Sequence, residues 1–270
     1  MNQTNQSIQE MRVEGLFLDY DGTISPLDVP REKSAVPQET ATILQSVKQV
    51  IPVGVLTTKD MSFIAPRTPF ASAWCAIGGL EIKIGKKIIT NEQAQKALPQ
   101  IELALRYARE NSQKQLYIEE KRSSTGQTLA FCIDWRQATY LTQAKPIADN
   151  IFEYCQRLHL NTIKYEEQPF FDVFPCEIDK GKALADMKKY LELTSGIMYL
   201  GDSKVDNPAF NIADISVGVL HEETHANLTS RYYVKYENVA GLLHHLKANA
   251  LIFSPNFPEI LLKRGGKAGK

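Results

Sequence analysis

Short apolar runs that stop at glycine, aspartate or threonine recur along the chain, and they constrain the fold more than any other feature. They are Val13 to Tyr20 (VEGLFLDY), Ile51 to Leu56 (IPVGVL), Ala73 to Ile77 (AWCAI), Ile197 to Leu200 (IMYL) and Ile215 to Val219 (ISVGV). Runs of that length, apolar without alternation, suit strands buried on both faces. Between some of them lie segments with helical spacing: Pro37 to Val50 with proline at its start, Lys180 to Leu193, and Val239 to Leu246. This alternation predicts an α/β fold, a parallel sheet with helices on both faces.

The rhythm breaks between Leu80 and Pro175. There the pattern predicts a hairpin around Gly85, a helix from Gln93 to Glu110, and strands from Gln115 to Glu119 and Thr128 to Trp135. A helix from Thr139 to Leu158 and strands from Thr162 to Glu166 and Phe170 to Phe174 follow. Two strand pairs, each preceded by a helix, fit an antiparallel sheet with helices on one face. We therefore expect a discontinuous core, residues 1–79 and 177–270, with an inserted α+β domain at 80–176.

Ligands of open α/β sheets bind beyond the carboxyl ends of the strands. Asp19 and Asp21 follow the first run, Thr57 and Thr58 the second, and Asp202 follows IMYLG, so acids and hydroxyls gather at one edge. An Asp-Gly pair alone makes a turn. In DYDGT, however, one carboxylate can attack phosphorus while the other protonates a leaving alcohol. In GDSKVD, Asp202 and Asp206 can face one hard cation, and Mg²⁺ takes oxygen ligands of this kind while keeping several waters. Lys180 falls in the first turn of a predicted helix, where its charge opposes the macrodipole, so nearby carboxylates or a bound phosphate should compensate it.

Taken together, LFLDYDGT, VLTTKD, DKGKAL and YLGDSKVD resemble the four ordered motifs of the haloacid dehalogenase superfamily of phosphatases. The resemblance spans almost the whole chain and implies a Rossmann-like core with a cap inserted between the second and third motifs, here a C2B-like α+β cap. It implies a nucleophile at Asp19, a general acid and base at Asp21, and phosphoryl-group contacts from Thr57 and Lys180. It also implies Mg²⁺ held by Asp19, the backbone carbonyl of Asp21 and Asp202, with Asp206 supporting the metal. Within the superfamily, FLDYDGTISPL, IEEK, FCIDWR and FFDVFP are similar to trehalose-6-phosphate phosphatases. That likeness implies sugar contacts from Glu119, Lys121, Asp172 and Arg136. The chain departs from that pattern with TTK, GDS, VDNP and DWR. Phosphatases of sucrose phosphate, mannosylglycerate phosphate or hexose phosphates stay open beside trehalose 6-phosphate, as does a phosphomutase.

Thirty-one basic and thirty-one acidic residues give no net charge, which argues against a nucleic-acid partner. MNQTNQSIQE lacks an apolar signal region, and no apolar run approaches the roughly 20 residues that span a bilayer, so a cytoplasmic location without a membrane partner is expected. Cys75, Cys132, Cys155 and Cys176 form no CxxC pair and read as reduced thiols. A rival reading comes from HEETH at His221 to His225, which fits the HExxH pattern of zinc hydrolases, with His244 or His245 as a third ligand.

Overall fold

The computed structural model describes residues 10–263 apart from 28, 114, 166–167, 222–226, 256 and 258–260. Six parallel strands form the centre of a nine-stranded sheet, in spatial order Tyr232–Lys235, Ile215–Leu220, Ile197–Gly201, Gly15–Leu18, Val53–Leu56 and Ala73–Ala76. Alternate side chains feed two cores, as the period of two in a strand requires. Leu16, Leu18, Val53, Val55 and Val217 pack with the helices Gln38–Lys48 and Val239–Ala248. Phe17, Leu56, Ile197 and Tyr199 pack with Lys180–Tyr190 and Asn207–Ile212 on the other face. Because the central strands are parallel, Asp19, Thr57 and Asp202 emerge at one edge of the sheet.

The inserted domain is a four-stranded antiparallel sheet in the order Tyr117–Arg122, Thr128–Asp134, Phe170–Phe174 and Asn161–Lys164. Phe131, Ile133, Phe171 and Val173 bury one face under the helices Leu98–Asn111 and Leu141–Arg157. Leu129, Ala130 and Phe174, at the end of that sheet nearest the core, join the core's own apolar cluster. Glu81, fully buried, accepts a hydrogen bond from the backbone N–H of Ser124 at 2.9 Å.

Two sequence expectations change. The hairpin Glu81–Ile84 and Lys87–Thr90, assigned above to the insertion, instead extends the core sheet antiparallel to Ala73–Ala76. Ile82 lies opposite Cys75 and shares the buried cluster beneath Lys180–Tyr190, and that burial draws the hairpin to the core. The expected helix Gln93–Glu110 is two helices, Glu92–Lys96 and Leu98–Asn111. Pro99 has no N–H to continue the first helix and suits the first turn of the second.

The chain leaves the core after Thr90, where the N–H of Asn91 bonds the carbonyl of Leu80 at 2.9 Å, and it returns close by at Ile178. Gly78, with a φ of 65°, abuts Ile178, and a Cβ on Gly78 would meet the Ile178 side chain at 2.7 Å. All four cysteines are free, three of them buried. Among the described residues no helix is long and apolar enough to cross a membrane. Of the tail KRGGKAGK, Lys263 ends the strand Leu261–Lys263, and 264–270 lie outside the described residues.

Candidate active site

Asp19 lies immediately beyond the strand Gly15–Leu18, its backbone N–H bonded to the carbonyl of Leu200 on the neighbouring strand. The turn that follows needs glycine at position 22. Its φ is +72°, and a Cβ there would stand 2.1 Å from Oδ2 of Asp202. This close approach presses the carboxylate of Asp202 against the turn that carries Asp21.

Lys180 opens the helix Lys180–Tyr190, which Asp179 caps by accepting from the N–H groups of Gly181 and Lys182. Its ammonium lies 2.9 Å from Oδ1 of Asp19 and 2.7 Å from Oδ1 of Asp206, and all three side chains are buried. The charge that opposes the helix dipole is thus met by two carboxylates. Burial works against the ammonium, but Asp19 and Asp206 outweigh it and hold Lys180 above the ordinary lysine value. Burial, followed by repulsion from Asp206, pushes Asp19 up to about 7 despite the pull of Lys180. Burial also drives Asp202 well above the usual carboxylate range, with Asp19 and Asp206 adding to it.

Oxygens of Asp19, Asp202 and Asp206 all lie within 4.8 Å of one another, a spacing that can hold a metal ion. Their surroundings separate their capacities. Asp206 accepts from Lys180 and the Tyr199 hydroxyl on one oxygen, and from the N–H groups of Asp202 and Ser203 and the Ser203 hydroxyl on the other. Five donors leave it little capacity to bind a cation directly. Asp19 and Asp202 offer the acidic oxygens that suit a hard ion, and a cation between them would offset their repulsion.

Thr57 follows Val53–Leu56 and is buried. Its hydroxyl accepts from the N–H of Lys59 at 3.2 Å. Asp21 is more exposed, and Lys59 stands 3.7 Å from its Oδ2. Sequence reasoning singled out neither Lys59 nor His221 for this site. Nε2 of His221 lies 2.6 Å from the carbonyl of Gly22 and 4.0 Å from Asp202, and its ring stacks on Tyr236. The HExxH expectation thus finds its first histidine beside the acidic cluster, whereas Glu222 to His225 lie outside the described residues. His244 and His245 are on Val239–Ala248, where His244 approaches Glu39 at 3.6 Å and His245 packs on Phe257.

Above this edge lies the face of the inserted sheet that its helices do not cover. Glu119 and Lys121 alternate along one strand, and Cys132 is opposite both Glu119 and Asp172, which places all four on that face. Nζ of Lys121 contacts Oδ1 of Asp172 at 2.6 Å with both side chains almost fully buried, and the Tyr165 hydroxyl donates to Oδ2 of Asp172 at 2.9 Å. Asp172 raises Lys121 against the opposing effect of burial. Glu119 pairs with Arg31 of the core. Arg136 is not brought to this group. It follows the far end of Thr128–Asp134, half exposed, pairs with Asp134 and lies 4.8 Å from the Phe170 ring.

The same arrangement of core and insertion occurs in solved structures. A trehalose-6-phosphate phosphatase related protein superposes with a TM-score of 0.69 at 18% identity, covering 88% of this chain and 98% of its own. The C-terminal domain of C. albicans trehalose-6-phosphate phosphatase gives 0.66 at 15%, covering 88% and 93%. A sugar phosphatase of subclass IIB of the haloacid dehalogenase superfamily gives 0.57 at 13%, covering 89% and 100%. At such identities the likeness is one of fold. Among proteins of curated function, none matches the chain in sequence. Residues 82–246, more than half of the 270, match the sequence profile of the haloacid dehalogenase-like hydrolases. That stretch takes in the inserted domain together with Lys180, Asp202 and Asp206, and the chain belongs to the haloacid dehalogenase-like hydrolase family.

Proposed function

We propose that the protein is a Mg²⁺-dependent phosphomonoesterase acting on a sugar phosphate, with trehalose 6-phosphate among the candidate substrates. The observation that carries this reading is Lys180 held between Asp19 and Asp206, with Asp202 pressed against the same turn. Such a site sets an ammonium beside a carboxylate at the end of a strand, with further acids able to hold a cation, where a transferring phosphoryl group needs both a nucleophile and charge neutralisation.

An oxygen of Asp19 attacks phosphorus as the bond from phosphorus to the sugar oxygen breaks, and Asp21 gives its proton to the departing oxygen. Asp21 then takes a proton from water as the water oxygen attacks phosphorus, which frees phosphate and restores Asp19. Lys180 opposes the protonation of Asp19 that burial favours and, with the Thr57 hydroxyl, meets the phosphoryl oxygens. Lys59 orients Asp21. Asp19 and Asp202, with the carbonyl of Asp21, would hold Mg²⁺, and Asp206 would position Lys180 and the loop of Asp202 and Ser203. When bound, the ion neutralises phosphoryl charge and aligns the group for in-line displacement.

On the inserted sheet, Glu119, Lys121 and Asp172 supply acceptors and a donor matched to vicinal hydroxyls, and a sugar that leaves any of them unpaired is penalised. This supports a polyhydroxylated leaving group. The test is phosphate release from a panel of sugar phosphates with Mg²⁺, with Asp19→Asn as control. The reading expects one sugar phosphate to be turned over well above p-nitrophenyl phosphate and Asp19→Asn to be inactive. Near wild-type turnover by Asp19→Asn would sink it.

A further inference from the structure

Arg31 belongs to the segment that leads away from the nucleophile turn, and it joins three separate parts of the chain. One guanidinium nitrogen lies 2.7 Å from Oδ2 of Asp60, whose side chain is almost wholly buried. Another contacts Oε1 of Glu119 on the inserted sheet. The guanidinium carbon stands 4.3 Å from the centre of the Phe63 ring, and Arg67 approaches the same ring at 4.0 Å.

The two arms differ. Asp60 is fixed in the core, where it also caps the helix Met61–Arg67 by accepting from Phe63 N–H at 2.8 Å and binds the Ser62 hydroxyl at 2.6 Å. The Arg31 segment is pinned as well. Arg67 donates to the carbonyl of Ser34, and the Ser34 hydroxyl contacts those of Ser25 at 2.9 Å and Tyr20 at 3.3 Å. The Glu119 arm runs across to the insertion, and both of its side chains retain some exposure to water. If the two domains part, Arg31 therefore stays with the core, and the contact to Glu119 is the one that breaks.

At the other side of the interface the attachment is of another kind. Leu129, Ala130 and Phe174 are packed into the core cluster, and buried Glu81 holds the Ser123 to Gly126 turn through Ser124. Separating those groups would expose apolar surface and strand a buried carboxylate. Among the described residues the interface thus has an apolar, tightly bonded side and a side where a partly hydrated ion pair joins the domains. Asp19 is 7% exposed with the insertion in place, and parting that second side would widen the approach to it.

We propose that Arg31 is a positioning residue, a core-mounted latch whose release of Glu119 admits substrate and whose re-engagement sets the recognition face over Asp19. This deepens the sugar-phosphatase reading and rests on it for the nature of the substrate, although the latch itself is a matter of domain geometry. Glu119 has a double part in this scheme, as a sugar contact and as the catch.

The experiment uses paired spin labels on exposed Gln45→Cys of the core and Gln156→Cys of the insertion, in a Cys176→Ser background, with interdomain distances read by pulsed electron resonance. Arg31→Ala and Glu119→Gln should each raise the open-to-closed ratio roughly three- to tenfold, and the double variant should do no more than either, as expected for one lost pair. The best sugar phosphate should lose kcat/KM by a comparable factor, chiefly through KM. Unchanged distances in both single variants would overturn the latch. So would a change confined to Arg31→Ala, because it would assign Arg31 to packing within the core. If no sugar phosphate were hydrolysed, the functional reading would fail while the label distances still decided the latch.

Discussion

The ammonium of Lys180 lies 2.9 Å from the carboxylate of Asp19, with both side chains buried. Because Lys180 also neutralises Asp206, Lys180→Met should leave two buried carboxylates without their counter-charge. The loss should be about 3–5 kcal/mol in denaturant unfolding at pH 8. It should shrink at pH 5, below the value of about 7 to which Asp19 is raised, because that carboxyl can then take up a proton. A loss independent of pH would point to packing instead.

Proton linkage gives a second expectation. Asp19 rises from its ordinary 3.8 to about 7 in the folded protein, so between those values the native state binds more protons than the unfolded chain. Its contribution to stability is therefore greatest near the acidic end of that window, falls as pH rises to 7, and stays at its lower level above it. Asp202 shifts in the same direction. In EDTA, the melting temperature of Asp19→Asn should exceed that of the wild type at pH 8 and approach it at pH 5. Millimolar Mg²⁺ should raise the wild type at pH 8 more than the variant, by binding the native state alone.

Asp202 and Asp206 should fail differently. Asp206→Ala takes one of the two carboxylates from Lys180 and leaves the hydroxyls of Tyr199 and Ser203 and two backbone N–H groups without their acceptor, so it should cost several kcal/mol of stability. Asp202→Ala should keep the fold, stabilise the metal-free protein, and weaken Mg²⁺ binding in calorimetric titration by on the order of 100-fold. The reverse pattern would exchange the two roles.

For Lys121 and Asp172, burial adds a complication absent from a surface pair. Lys121→Ala or Asp172→Ala leaves a buried charge and should destabilise the protein by about 3–5 kcal/mol. Removing both charges, Lys121→Met with Asp172→Asn, should recover most of that stability but not hydrolysis of the sugar phosphate. p-Nitrophenyl phosphate is too small to depend on the pair and should keep most of its turnover in the double variant. Equal loss on both substrates, with stability restored, would remove Lys121 and Asp172 from sugar recognition.

The parallel core was legible because its strands are buried on both faces and so carry unbroken apolar runs. Asp19, Thr57 and Asp202 could be placed at one edge because strand direction alone brings them there. Partnerships across the fold were not legible. Nothing local distinguishes Arg31 from any loop arginine, and its meeting with Asp60 and Glu119 depends on how the two domains lie together. His221 was read as part of HEETH, since its contact with Gly22 lies 199 residues away in sequence. The Glu81 to Thr90 hairpin was given to the wrong domain, because a hairpin pattern states its own turn and not the sheet that its edge will join. Arg136 followed from motif position alone, and its side chain turned to Asp134 two residues away.

The contact of Gly78 with Ile178 has a consequence for how such a chain can change over time. Asn91, where the excursion starts, is bonded to Leu80 beside that contact, so the excursion starts and finishes at neighbouring points, and its length scarcely affects the closure entropy borne by the host, since that cost grows only with the logarithm of length. Lineages can then lengthen, shorten or replace the excursion while the catalytic edge keeps its register. With recognition proposed for the insertion and chemistry for the core, selection on the one is thereby separated from selection on the other.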